Sequence, residues 1–237
     1  MQFDVIFMPE TLLLFAHGIL TTLELLGLSL AFGLALALPL SILRSSDRPG
    51  LWGPVWLFTF AIRGTPLLVQ VYLIYYGVGQ LPWVEARWDS IWPWTLFKGP
   101  LFCTVLAFVI NTTAYTIEIL AGALRATPHG EIEAGRSVGM SEALLYWRIL
   151  LPSALRRALP AYSNEVILML QATSVASVVP SLIDITGAAG SVYSTYYLPF
   201  EAYLTAGALY LVLTLALVGL FRWAERHWLA YLRVRGA

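Results

Sequence analysis

Charge is scarce in this sequence. Lys, Arg, Asp and Glu make up 12% of its 237 residues, while 59% are apolar; ordinary soluble domains carry roughly 25% charged residues. A soluble fold of this size has no use for so much apolar surface, so the composition points to the lipid bilayer as solvent. Cysteine is nearly absent. Cys103 stands alone in an apolar run, which excludes an internal disulfide and a thiolate metal site and reads as a small packed side chain. There is no G-x-x-x-x-G-K-[ST] phosphate loop and no H-E-x-x-H. Phosphate-loop ATP binding and zinc hydrolysis therefore lack their residues. Three scattered histidines make no metal site, and an intramembrane enzyme is not expected. No internal repeat is visible, which speaks against inverted-repeat secondary transporters.

What is present is a set of long apolar runs. Roughly 20 apolar residues cross the hydrocarbon core as a helix. Five segments qualify, over about 12–43, 54–79, 100–124, 160–179 and 202–221. Pro54, Pro100 and Pro160 fall near the expected helix starts, where a missing N–H is harmless. The first run is long enough to tilt or to project beyond the lipid. The expected fold is an all-α membrane protein of five transmembrane helices forming a single domain over 1–237.

Arginine sets the orientation. Arg44 and Arg48 follow the first run. Arg125, Arg136, Arg148, Arg156 and Arg157 lie between the third and fourth, and Arg222, Arg226, Arg233 and Arg235 close the chain. The other side carries only Arg87 and Lys98. Eleven against two puts the N-terminus outside and the C-terminus in the cytoplasm. Trp83, Trp88, Trp92 and Trp94 suit an outer aromatic belt, Trp223 and Trp228 an inner one. Ala35-Leu36-Ala37 is a faint cleavage-like triplet, but the arginines follow the run rather than precede it, so an uncleaved, outward N-terminus accounts better for the same residues.

The largest inward loop, 125–159, is polar and patterned. Thr127 can cap a helix that starts at Pro128. Glu131 and Glu133 fall early in it, where the helix dipole favours anions. Gly139 offers a positive-φ stop, Ser141 caps a second short helix, and Pro152 closes that helix. Ala134, Gly135 and Ser137 are small enough for another protein to approach closely. Periodicity alone leaves two readings open: a loop lying on lipid headgroups, or a loop docked to a partner.

Specific motifs bear on that choice. Glu133-Ala134-Gly135, three residues, Gly139, nine residues, then Ile149-Leu150-Leu151-Pro152 resembles the E-A-A…G…I-x-L-P signature of binding-protein-dependent ABC importer permeases. Gly135 stands where the family pattern has its second alanine. Arg63-Gly64-Thr65-Pro66 with Gln70, the run Ala114 to Ile119, and Leu151 to Arg156 resemble elements of the polar amino acid subfamily. The stretch Asn111 to Leu170 is similar to the M-type permeases of histidine and arginine/ornithine importers. The resemblance implies a MetI-like core whose loop, through Glu131, Glu133, Ala134, Gly135, Ser137, Gly139 and Met140, couples to a separate ATPase. It also implies a second permease subunit, two ATPase subunits and a periplasmic binding protein in a bacterial inner membrane. ATP and Mg would sit on the ATPase, this chain would hold no cofactor, and nucleic acid has no part. An ATP-independent channel or secondary transporter is the alternative.

An ionised side chain inside a span costs about 2.5–3.5 kcal/mol on insertion scales, so each needs a partner or a wet cavity. The spans hold Glu24, Glu118 and Glu165 against Arg63, an acidic excess that suits a basic amino acid as cargo. Glu165 could pair with Arg63 or meet substrate. Glu118 could brace a helix end or line the path. Arg63 could brace the loosened Gly64–Pro66 segment, where a kink is expected, or bind a carboxylate. Asn164, Gln171 and Thr173 form a polar stripe that serves either helix packing or a path wall. With Thr65, Gln70, Asn111 and Tyr115 these complete the candidate path set.

Overall fold

The computed structural model describes residues 3–92 and 94–228. Arg233 and Arg235, used in the orientation argument, lie outside them. Helices carry the fold, and no strand occurs among the described residues. In chain order they are α1 (Pro9–Arg44), α2 (Pro49–Arg63), α3 (Leu67–Tyr72, continued as a π-helical stretch Leu73–Val78) and α4 (Pro82–Glu85). Then follow α5 (Pro100–Arg125), α6 (His129–Ser137), α7 (Glu142–Leu145), α8 (Leu151–Ala172), α9 (Ile185–Tyr196) and α10 (Pro199–Trp228). Pro9, Pro49, Pro82 and Pro100 each open a helix, where φ is already set and no N–H is lost.

α5 is the axis of the bundle. Of its most apolar stretch 61% is buried, against 33% for α1 and 6% for α10. α1 lies along α5, and α2, α3 and α8 pack around the rest of it. Its buried face mixes Ala107, Phe108, Ala114 and Ile117 with Thr104, Thr112, Thr113 and Thr116, small and hydroxylated residues that let helices approach closely in lipid. Three apolar clusters stack along the bundle. Leu25, Phe108, Met169 and Leu170 sit at mid-height. Ile185, Ala188 and Ala202 lie at the end holding α9, and Ile117, Leu120 and Ala154 at the end holding α6 and α7, here the loop end.

Three helices, α1, α5 and α10, are long and apolar enough to cross a membrane, and α2 with α3 makes a fourth candidate if the bent pair is one span. The kink expected at Gly64–Pro66 is a break of 101°. The run read as 160–179 is a helix that starts at Leu151 and ends in a 3₁₀ stretch, Thr173–Val178. Its polar content (Arg156, Arg157, Asn164, Glu165) keeps it out of the long apolar set. Pro54 and Pro160 lie inside α2 and α8 rather than near their starts. Pro152 does not close a helix but sits in the first turn of α8, because a proline there costs no hydrogen bond. The loop read as 125–159 is correspondingly shorter, 126–150.

Candidate functional site

The break between α2 and α3 has a specific cause. Pro66 has no N–H, so the last carbonyls of α2 lose helical donors. Gln70, buried in α3, turns back to supply them. Its Nε2 donates to the Ile62 carbonyl at 2.7 Å, to the Thr65 carbonyl at 3.1 Å and to Thr65 Oγ1 at 2.9 Å. Its Oε1 accepts from Asn111 Nδ2 of α5 at 3.0 Å. One amide thus fastens both halves of the broken helix to the central one. Irregular backbone at membrane depth persists only where it is buried in protein or lines a cavity, and here it lines one.

That cavity, of about 420 Å³, is bounded by Arg63, Gly64, Thr65 and Pro66 from the break, Asn111 and Tyr115 from α5, and Glu165, Leu168 and Met169 from α8. Five candidates from three separate segments meet there: Arg63, Thr65, Asn111, Tyr115 and Glu165. The structure does not bear out bracing by Arg63, since Gln70 and Thr65 carry that task. Nor do Arg63 and Glu165 form an ion pair. The Arg63 guanidinium lies 5.0 Å from the Tyr115 ring centroid, a cation–π contact. Glu165 accepts from Thr112 Oγ1 at 3.2 Å. A guanidinium with no carboxylate partner among the described residues and a buried carboxylate therefore face one cavity.

The other candidates are placed elsewhere. Glu118 is a clamp: its Oε1 accepts from Arg44 Nε and from Thr59 Oγ1, each at 2.7 Å, joining α1, α2 and α5. Arg125 adds a bond from Nη2 to the Arg44 carbonyl at 2.7 Å. Thr173 is fully buried and donates to its own helix at Leu170 O, 2.6 Å. Asn164 and Gln171 are exposed on α8, on the side of Leu168. Glu24 is exposed on α1.

At the loop end the chain forms an elbow. Gly139 has φ +78°, a conformation glycine adopts without penalty, and Ser141 Oγ caps α7 by accepting from Leu144 N at 3.4 Å. Thr127 does not cap. The cap position falls on Pro128, and Thr127 Oγ1 instead accepts from Arg157 Nη2 at 3.2 Å. Gly135 is buried, and a Cβ there would meet the Leu145 and Ile149 side chains, so it serves packing within the elbow rather than approach by another protein. Glu133, Ala134 and Ser137 are exposed and Met140 is half-buried. Beside them Val138 and Trp147 are 75% and 65% exposed.

Glu131 faces inward. Its Oε2 accepts from Ser153 Oγ at 2.8 Å, and its Oε1 lies 3.6 Å from Arg157 Nη1. α6 is thereby tied to α8, the helix that carries Glu165 two turns further on. Arg136 and Glu142 close the outer side of the elbow at 2.9 Å, and this hydrogen bond holds Arg136 more firmly in its charged form. Burial pushes the Tyr146 phenol above its ordinary value. Sequence reasoning missed Thr59, Thr112, Ser153 and Arg157 as site residues. Thr59 lies four positions before Arg63, on the same helix face, and that spacing was the available signal.

The family described as "Binding-protein-dependent transport system inner membrane component" matches residues 29–229. The chain belongs to this family. It is 42% identical over 232 residues to the octopine transport system permease protein OccM of Rhizobium meliloti, covering 95% of this chain and 93% of that one. It is 47% identical over 218 residues to the histidine/lysine/arginine/ornithine transport system permease protein HisM of Escherichia coli K12, covering 91% and 89%. A chain of a crystallised amino acid ABC transporter with histidines superposes with a TM-score of 0.75 at 32% identity, covering 90% of this chain and 94% of that one. A chain of an inward-facing MetNI methionine ABC transporter gives a TM-score of 0.75 at 19% identity, which shows the shared fold alone. The protein is a multi-pass membrane permease component of an ABC importer and not itself an enzyme.

Proposed function

We propose that this chain is one half of a permease pair that carries a basic amino acid from a periplasmic binding protein to the cytoplasm. The observation that carries the cargo assignment is the cavity in which Arg63 and Glu165 face the same space without pairing. Arg63 takes the substrate carboxylate, and Glu165 the cationic side chain of arginine, lysine, ornithine or protonated histidine. The names of the HisM and OccM relatives support this class.

Five spans give the topology: α1, the broken α2–α3 pair, α5, α8 and α10, with the N-terminus periplasmic and the loop end cytoplasmic. α8 crosses as the polar member because Glu165 faces the cavity and Arg157 is tied to Glu131. Asn164, Leu168 and Gln171 lie on one exposed face of α8, where polar side chains at membrane depth suit the second permease subunit across a central path.

The elbow docks on one of two ATPase subunits, which hold ATP and Mg. Val138 and Trp147 are its apolar anchors, Glu133 and Ser137 its polar rim, and Ala134 a small exposed contact. ATP closure moves α6, the Glu131–Arg157–Ser153 tie moves α8, and α8 moves Glu165 relative to the break. The cavity thus opens alternately to each side. The test is ATP turnover by the reconstituted four-subunit complex with its receptor loaded in turn with cationic, neutral and acidic amino acids. Stimulation by the cationic series alone supports the reading, and equal stimulation by all three overturns it.

A further inference from the structure

A second cavity, of about 330 Å³, lies on the loop-end side of the first and shares Arg63 and Gly64 with it. Its other chemistry comes from Arg44, Thr59, Phe60 and Glu118. A third, of about 380 Å³, shares Arg44 and continues past Asp47 to Arg125. Neighbouring cavities share lining residues, Arg63 and Gly64 and then Arg44, so the three follow one another from the break to the loop end.

The charges along this series alternate in a way that bracing alone does not require. Arg63 stands in the wall between the first two cavities, with Glu165 on one side and Glu118 on the other. Its guanidinium lies over the Tyr115 ring and forms no ion pair with either carboxylate among the described residues. Glu118 takes both of its bonds on Oε1, and Oε2 is without a hydrogen-bond partner among the described residues.

We propose that the second cavity is an exit station for the cargo amino acid, in which Glu118 receives the cationic end that Glu165 releases while Arg63 keeps hold of the carboxylate. This rests on the proposed function. A substrate that pivots on one fixed guanidinium between two carboxylates keeps its carboxylate and its side-chain cation paired at each step, and an unpaired charge in the membrane interior is costly. Arg44 then draws the carboxylate onward, and Asp47 and Arg125 offer the last charged contacts before the cytoplasm. The elements moved by the elbow, α8 and with it Glu165, are on one side of this pivot. The clamp that positions Glu118 is on the other.

The experiment uses the assembled complex in detergent with Cys103→Ser in this subunit and one new thiol at a time. Phe60→Cys reports the second cavity and Leu168→Cys the first. L-arginine is the probe, and protection from a cationic methanethiosulfonate, read from the mass of this subunit, is the signal. The proposal expects L-arginine to protect both positions. It also expects Glu118→Gln to require about ten-fold more L-arginine for half-protection at Phe60→Cys, with Leu168→Cys unaffected. Unchanged half-protection at Leu168→Cys in the Glu118→Gln complex separates ligand contact from bracing, because loss of the clamp that joins α1, α2 and α5 would disturb both cavities. Protection at Leu168→Cys alone in the Glu118 complex overturns the exit station, leaves the proposed function standing and needs no folding of any Glu118 variant. Protection at neither position overturns cargo contact with this subunit, and the exit station with it.

Discussion

Gln70→Leu tests the break directly. Leucine keeps the volume and the helix propensity but removes four hydrogen bonds: those to Ile62 O, Thr65 O and Thr65 Oγ1, and the one from Asn111. Hydrogen bonds between polar side chains in membrane proteins contribute about 0.6 kcal/mol each. Asn111 is only 8% exposed, and its stranded amide adds an unsatisfied-group penalty of about 1–3 kcal/mol. The expected destabilisation is therefore about 4 kcal/mol, a large part of a domain stability of about 5–15 kcal/mol. Thermal unfolding of the purified complex, followed by exposure of the buried Cys103 thiol, reads this loss. The double variant Gln70→Leu/Asn111→Leu strands no amide and should recover about 1–3 kcal/mol of it. A single variant as stable as the parent, or a double variant no better than the single, would refute the reasoning.

Gly139→Pro demands φ near −65° where the chain has +78°, and should abolish uptake while leaving membrane insertion intact, as should Glu133→Arg. Uptake assays alongside membrane-fraction blots check both. Trp147→Ala should weaken ATPase binding by about 30-fold if the side chain is an interface hot spot, measured by co-purification at graded dilution. Arg157→Leu leaves the Glu131 carboxylate without its cation and cuts the tie between elbow and α8. ATP turnover should persist but lose its dependence on loaded receptor. Wild-type stimulation in that variant would show that α6 drives α8 by another route.

The elbow was legible because its signals are local. A glycine after a polar helix and a serine three residues before a backbone N–H specify Gly139 and Ser141 whatever surrounds them. The central role of α5 was not legible. Which of several apolar helices is enclosed depends on who packs against it, and a threonine-rich face such as Thr104, Thr112 and Thr116 reads in sequence as mere polarity. The size of the break at Gly64–Pro66 was not legible for a similar reason. Proline and glycine announce a disturbance, but its size is set by Gln70 and Asn111, one from the next helix segment and one from α5. The charged residues were correctly counted but their partnerships were not. Arg44 was read only as an orientation signal, yet it clamps Glu118, and Glu165 turns to Thr112 rather than to Arg63. Such choices depend on distances across the bundle that spacing along one chain does not encode.

The account turns on whether cargo charge is read inside this subunit. Uptake of L-arginine by proteoliposomes holding the complete complex, compared between the parent and Glu165→Gln, measures that most directly, with receptor-stimulated ATP turnover recorded in the same vesicles. Glutamine keeps the shape and still accepts from Thr112, but it cannot neutralise a guanidinium. The account predicts arginine uptake lower by at least about ten-fold, the loss expected for one charge-assisted hydrogen bond, with ATP turnover still stimulated by docked receptor. Undiminished arginine uptake would contradict it.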